Sequence, residues 1–206
     1  MPDNAPLRRI TPGRVLAALA AVAVLAAAVW FLVLPHFTLR HESELPHGNG
    51  RLAAACGNPG VAYSSAHPFT GPSPHGVEVY EKIGKSYVNA GATLPDSWNA
   101  PSSVDVRLVL CLEKVGTDGE MDSANCTYGN RQMPTGPKLS KPMDKTIYRA
   151  TLRELRTHRK LAQMRLTGED PTCPGSVSLS DSDPSVDSHL SKAQLLQAFG
   201  RYAGTS

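Results

Sequence analysis

Twenty consecutive apolar residues at positions 15–34, VLAALAAVAVLAAAVWFLVL, constrain this chain more than any other feature. At 1.5 Å rise per residue a helix of that length spans ~30 Å, the hydrocarbon thickness of a bilayer. A buried helix of a soluble domain would carry a polar stripe, and this segment has none. The run is longer than the usual ~7–15 residue core of a cleaved signal peptide. It also ends in the bulky residues Trp30, Phe31, Leu32, Val33 and Leu34 followed by Pro35, with no small-x-small site directly after them. Leu52-Ala53-Ala54-Ala55-Cys56 loosely matches a lipoprotein cleavage pattern but lies well beyond the run. The segment therefore reads as an uncleaved signal anchor, a single-pass transmembrane helix over residues 15–34.

Charge sets the orientation. Arg8, Arg9 and Arg14 precede the run against Asp3, whereas Arg40 after it is opposed by Glu42 and Glu44. The positive-inside rule places residues 1–14 in the cytoplasm as a short tail and residues 35–206 outside the membrane. Trp30 and Phe31 then fall at the outer interface, where aromatic rings are favoured. Residues 35–50 read as a flexible polar stalk holding His36, His41 and His47, and an exported domain is expected over 51–206.

All four cysteines, Cys56, Cys111, Cys126 and Cys173, lie on the exported side. An even number in an oxidising compartment reads as two disulfides. Zinc would call for close pairs such as C-x-x-C, and no two of these cysteines are nearer than fifteen residues. Three connectivities are open. The most local one joins Cys111 to Cys126 across a polar loop containing Asp118-Gly119, and leaves Cys56 for Cys173.

Within the exported part, residues 77–80 alternate as a short strand, and residues 105–112 (DVRLVLCL) are the best strand in the chain. Val106, Leu108, Leu110 and Leu112 are expected on one face of it. Leu94-Pro95-Asp96-Ser97-Trp98 reads as a turn bearing a large apolar anchor. Residues 148–166 fit a helix by propensity, but fit a β-hairpin around a charged turn equally well by period. Residues 129–146 and 168–187, rich in Pro, Gly and Ser, read as loops. A helix follows, capped by Asp187 or Ser188, with Leu190, Leu195, Leu196, Phe199 and Tyr202 on its apolar face.

The order of LP-x-x-W (Leu94, Pro95, Trp98), VRLVLC, Cys126-Thr127-Tyr128, YRATLRELRTHRKLAQMRLTG and Cys173-Pro174 resembles a group of uncharacterised actinobacterial single-pass membrane-anchored or secreted proteins with a small exported β-rich domain. The resemblance covers residues 50–175 and implies no activity. It implies two strands over 148–166 joined by a Thr-Gly-Lys-type turn, with His158 here in place of Gly. The fold expected is thus a transmembrane helix followed by a small α+β domain, mainly antiparallel β with a C-terminal helix.

Gly and Pro contribute 17 residues each and aromatics only 6%, which excludes a coiled coil or helical bundle. The net charge of +3 excludes a dedicated nucleic-acid binder. Signatures of serine hydrolases, zinc proteases, P-loops and dinucleotide folds are missing. Ser73 beside His67 and His75 is no more than a chance Ser–His neighbourhood. Asp181, Asp183 and Asp187 fail the EF-hand pattern, whose sixth and twelfth positions are here Val186 and Lys192. Asn125-Cys126-Thr127 fits a glycosylation sequon of consequence only in a eukaryotic secretory route.

One feature rises above this background. Residues 145–165 carry seven cations against Glu154 alone, while residues 35–206 as a whole hold 18 cations and 17 anions. The rest of the exported part is therefore net acidic. In a hairpin, Arg149, Arg153 and Arg165 share one face and form a candidate anion-binding ridge for anionic lipid headgroups or acidic envelope polymers. Solvated charges that protect a strand edge from aggregation are the plainer explanation. The function expected is a membrane-tethered extracytoplasmic binding or accessory module, without catalytic activity, cofactor, metal or nucleic-acid partner. The alternatives are a structural domain that assembles with a membrane protein partner, or an enzyme with an unrecognised site.

Overall fold

The computed structural model describes residues 39–46, 51–70, 74–91, 94–100, 102–129, 138–175 and 184–204. The expected span at 15–34, and with it the cytoplasmic tail, lies outside the described residues. Among the described residues no helix is long and apolar enough to cross a membrane.

Residues 40–206 form a compact unit, a small mainly-β domain with a C-terminal helix. Strand β1 (Arg40–Glu42) pairs in parallel with β2 (Val61–Tyr63), and Leu45 is buried in the core, so part of the expected stalk belongs to the folded body. The larger sheet runs β4 (Ser86–Asn89), β3 (Gly76–Ile83), β5 (Val106–Tyr128), β6 (Leu139–Glu154), β7 (Lys160–Thr167). The β3–β5 pairing is parallel, and the β3–β4, β5–β6 and β6–β7 pairings are antiparallel. A short β8 (Val186–Asp187) pairs in parallel with β6 at Met143 and Asp144, ahead of the stretch that β7 covers. Helix α1 (Lys192–Ala203) closes the chain.

Two tight turns set the hairpins. Ile83 faces Ser86 across Gly84-Lys85, and Gly84 takes φ 60, as a two-residue turn matched to strand twist requires. The ambiguous segment 148–166 is a hairpin, with Tyr148 opposite Leu166 and Leu152 opposite Ala162. Its turn needs a left-handed residue, and His158 supplies it at φ 59, a conformation that glycine adopts most readily.

β5 and β6 are much longer than expected. β5 does not end in a polar loop after Leu112 but continues through bulges between Lys114 and Gly116 and either side of Glu120. β6 begins at Leu139, inside a segment expected to be a loop. Its polar and Pro-containing start is held by register rather than by apolar alternation. Asn125 faces Pro142, Cys126 faces Lys141, and Ser185 Oγ donates to Asp144 at 2.6 Å.

β5 is buried on both faces near its start, as a central strand with covered faces must be. Leu108, Leu110 and Leu112 pack with Val77, Val79, Ala150, Leu152 and Trp98 beneath Leu195, Phe199 and Ala203 of the helix. Val109 and Cys111 face the opposite way, toward Leu45, Leu52, Ala55, Cys56 and Tyr63. Val106, expected with the even-numbered set, belongs to this second cluster because the β3–β5 register shifts between Gly76 and Val77.

The helix cap is Ser191, not Asp187 or Ser188. Ser191 Oγ accepts from Gln194 N at 3.2 Å, and Gln194 Oε1 accepts from Ser191 N at 2.9 Å, a reciprocal capping box. Asp187 is taken by β8. Ser188 is fully buried, its Oγ accepting from Thr146 N at 2.9 Å and donating to Gly168 O at 3.1 Å. Ser191→Ala is expected to cost about 1 kcal/mol. Urea unfolding followed by far-ultraviolet circular dichroism checks it, and an unchanged midpoint would show that packing of Phe199 holds the helix without its cap.

The cysteines pair as Cys56–Cys111 and Cys126–Cys173, with Cα separations of 5.5 and 5.6 Å. This corrects the local pairing expected between Cys111 and Cys126. Both sit on the same extended strand, and at ~3.3 Å per residue their Cα atoms cannot come within the ~7 Å that a bridge allows. Cys56–Cys111 fastens the turn Arg51–Cys56 to the sheet. Cys126–Cys173 fastens the chain after β7 to the far part of β5, beside Met143 and Val186.

Candidate anion-binding site

The strand registers bring a set of polar side chains onto one face of the sheet. Cys111 faces Thr151 and Glu113 faces Arg149 across β5–β6, and Arg149 faces Arg165 and Thr151 faces Gln163 across β6–β7. Tyr80 pairs with Cys111 across β3–β5, and Lys82 with Tyr87 across β3–β4. The first stretch of this face is covered by the cluster around Cys56. Beyond the Cys56–Cys111 bridge the cover stops, leaving a cavity of about 490 Å³.

Its floor is Cys111, Glu113, Arg149, Thr151 and Arg153. Its sides are Lys82 and Tyr87 toward β4, Gln163 from β7, and Cys56, Gly57, Asn58, Gly60 and His158 toward the N-terminal segment. The last wall is tight. His158 Nε2–H donates to Ala55 O at 2.7 Å, and a Cβ at Gly60 would stand 2.1 Å from that nitrogen. Only glycine lets the chain pass there.

The electrostatics are lopsided. Glu113 receives Lys82 Nζ at 2.6 Å and Arg149 at 3.3 Å. The Lys82 hydrogen bond holds the Glu113 carboxyl below its usual value, against the opposing effect of burial. Arg153 is half-buried, and among the described residues no carboxylate lies within ion-pair distance of it. Its Nη1 donates to His158 O at 3.3 Å. Burial lowers the pKa of its guanidinium, with Tyr87 acting the other way. Three cations thus line a cavity with one carboxylate, which Lys82 and Arg149 share and Arg153 does not reach. Arg165 is exposed and outside the cavity lining, so the ridge read from the sequence divides: Arg149 and Arg153 line a concavity, while Arg165 stands beside it. Lys82, Tyr87, Glu113 and Gln163 were not singled out from the sequence, because their convergence depends on strand register.

Other candidates resolve into structural roles. His75 Nδ1 accepts from Arg107 Nη1 at 3.1 Å, and burial followed by Arg107 lowers its pKa. Ser73, Asp181 and Asp183 lie outside the described residues. Asp187 accepts from Lys114 Nζ at 2.5 Å and from Thr146 Oγ1 at 2.9 Å. Buried Glu154 accepts from Phe69 N at 3.1 Å and Thr157 Oγ1 at 2.7 Å, with Arg159 at 3.5 Å. Burial works to raise its pKa, and these partners outweigh it. Among the described residues no group of three His, Cys, Asp or Glu could hold a metal ion.

These groups set the pH dependence of stability. His75 and His158 are lowered, chiefly by burial, so between their folded values and about pH 6.5 the unfolded chain binds more protons and stability falls on acidification. Glu113, Glu154 and Asp170 are also lowered, so their contribution is complete above about pH 4.5 and is lost as pH drops through their folded values. The urea midpoint is therefore expected to be highest near and above pH 7, to decline below about 6.5, and to fall faster below about 4. A midpoint independent of pH between 7 and 4 would contradict this account.

No family model, curated protein or solved structure matches this chain.

Proposed function

We propose that this protein is a membrane-tethered, extracytoplasmic binding module, without catalytic activity, that engages an anionic ligand on the open face of its sheet. The observation that carries the reading is the cavity lined by Lys82, Arg149 and Arg153, of which Lys82 and Arg149 pair with its single carboxylate, Glu113, and Arg153 pairs with none among the described residues. A concave site with excess cations raises the local concentration of an anionic ligand and orients it. The two disulfides favour an oxidising compartment, and the apolar run at 15–34 behind three arginines favours a signal anchor. Membership in the actinobacterial group of membrane-anchored exported proteins is part of the same proposal.

The test uses the full chain in nanodiscs of zwitterionic lipid, titrated with anionic polymers of the cell envelope at low and physiological salt. Binding is expected to weaken steeply with salt, because exposed charges are screened over ~8–10 Å. The triple variant Arg149→Gln, Arg153→Gln, Arg165→Gln is expected to lose it while remaining folded: exposed Arg149 and Arg165 contribute within about ±0.5 kcal/mol each, and half-buried Arg153 adds the loss of its hydrogen bond to His158 O, about 1 kcal/mol. Equal binding by the variant would return Arg165 to protection of the β7 edge and Arg149 and Arg153 to solvated charges on the face of β6. For topology, a reporter fused after Ser206 is expected to be active only outside the cytoplasm, and release of a soluble form would overturn the anchor.

A further inference from the structure

We propose that the cavity takes the carboxylate of an acidic saccharide, with Arg153 as its anchor and Glu113 as a resident competitor; this rests on the anionic-ligand reading above. Lys82 and Arg149 are already engaged by Glu113, at 2.6 and 3.3 Å. Arg153 is the cation of the cavity that has no carboxylate within ion-pair distance among the described residues, and its hydrogen bond to His158 O engages only one of its five N–H donors. A guanidinium fork matches a planar two-oxygen acceptor, which a carboxylate supplies. The Glu113 carboxylate in the same cavity disfavours a second negative charge on the ligand, and so selects against a phosphate dianion.

The remaining lining fits hydroxyl groups better than acyl chains. Asn58, Thr151 and Gln163 offer neutral donors and acceptors, and Tyr87 offers both a ring face and a hydroxyl. The exposed large apolar residues Ile83, Val88 and Val104 are not part of the lining. Lipid headgroups meet the same cations on the open face, but find no apolar wall here to receive their tails.

The experiment is calorimetric titration of the full chain in zwitterionic nanodiscs with trigalacturonate, neutral galactotriose and inorganic phosphate, and flotation with vesicles containing anionic phosphatidylglycerol. Trigalacturonate is expected to bind, galactotriose and phosphate to bind at least about tenfold more weakly, and the vesicles not to compete. Arg153→Gln is expected to weaken trigalacturonate binding by on the order of tenfold or more, as loss of a charged hydrogen-bond partner does, and Arg165→Gln to leave it within about twofold. Glu113→Gln frees Lys82 and Arg149 and is expected to tighten binding severalfold, a gain that a misfolded variant cannot produce. Phosphate or vesicles binding as well as trigalacturonate would overturn the saccharide assignment and leave the anionic-ligand reading intact. So would trigalacturonate binding that survives Arg153→Gln but is lost in the triple variant. Absence of binding to every anion, polymers included, would overturn both.

Discussion

Replacing Cys56 and Cys111 together by alanine is expected to lower the stability of this chain by about 4 kcal/mol, and replacing Cys126 and Cys173 by a similar amount. The bridges join residues 55 and 47 positions apart. A crosslink of that span removes loop-closure freedom from the unfolded chain, and the chain-entropy relation puts the loss at ~4 kcal/mol for each. A small domain stabilised by ~5–15 kcal/mol in total depends on increments of that size. The first pair carries a structural consequence as well, since Cys56 and Cys111 join the wall of the cavity to its floor. Its removal is therefore expected to weaken ligand binding under conditions where the domain is still folded. Urea unfolding of the two double variants measures the stability change, and mass spectrometry of non-reduced peptides verifies the pairing. A loss below about 1 kcal/mol in either variant would show that the unfolded chain is already compact enough for the crosslink to remove little entropy.

What the sequence made legible was whatever is encoded locally. The strand around Leu108–Leu110–Leu112 announces itself through branched apolar residues, the helix through Leu195, Phe199 and Tyr202, and the anchor at Trp98 through the turn before it. The cysteine count and composition were enough to indicate two bridges. The pairing was not, because it hinges on where β5 ends. Asp118, Gly119 and Glu120 have turn chemistry and read as a loop, yet they sit in a bulged extension of β5 held by β6. Once the strand is that long, Cys111 and Cys126 are carried apart and each must find a partner from another segment. The first part of β6, before Tyr148, escaped notice for a related reason: Lys141, Pro142 and Asp144 break any apolar alternation, and cross-strand pairing supplies the order instead.

The site was legible in part. Arg149, Arg153 and Arg165 follow the period-two rule once the segment is a hairpin, and register places Arg149 opposite Arg165. Lys82 and Glu113 lie 31 residues apart on strands whose parallel pairing leaves no local trace in the sequence, so their ion pair emerges only from the folded sheet. The same holds for the wall at Gly60 and His158, which meet across nearly 100 residues because Leu155 and Tyr63 join the hairpin turn to β2 through a backbone hydrogen bond of 3.1 Å.

Trp98→Ala is expected to cost about 3–5 kcal/mol, the range for deleting a large aromatic side chain from a core. Trp98 is 0% exposed and belongs to the core cluster that Leu108 and Leu110 of the sheet share with Leu195 and Phe199 of the covering helix. The cavity left by alanine lies between two elements that cannot both collapse into it, which places the loss toward the upper end. Trp98→Phe is expected to cost less than half as much. The indole Nε1–H is buried and makes no hydrogen bond among the described residues, so the tryptophan already bears the desolvation of an unpaired donor. Such a group costs about 1–3 kcal/mol. Phenylalanine removes that donor while keeping most of the aromatic volume, and the relief offsets part of the lost packing. Thermal and urea unfolding of the two variants separate the contributions. If Trp98→Phe proves as damaging as Trp98→Ala, the N–H is satisfied in solution, and an ordered water beside the indole would be the partner to look for.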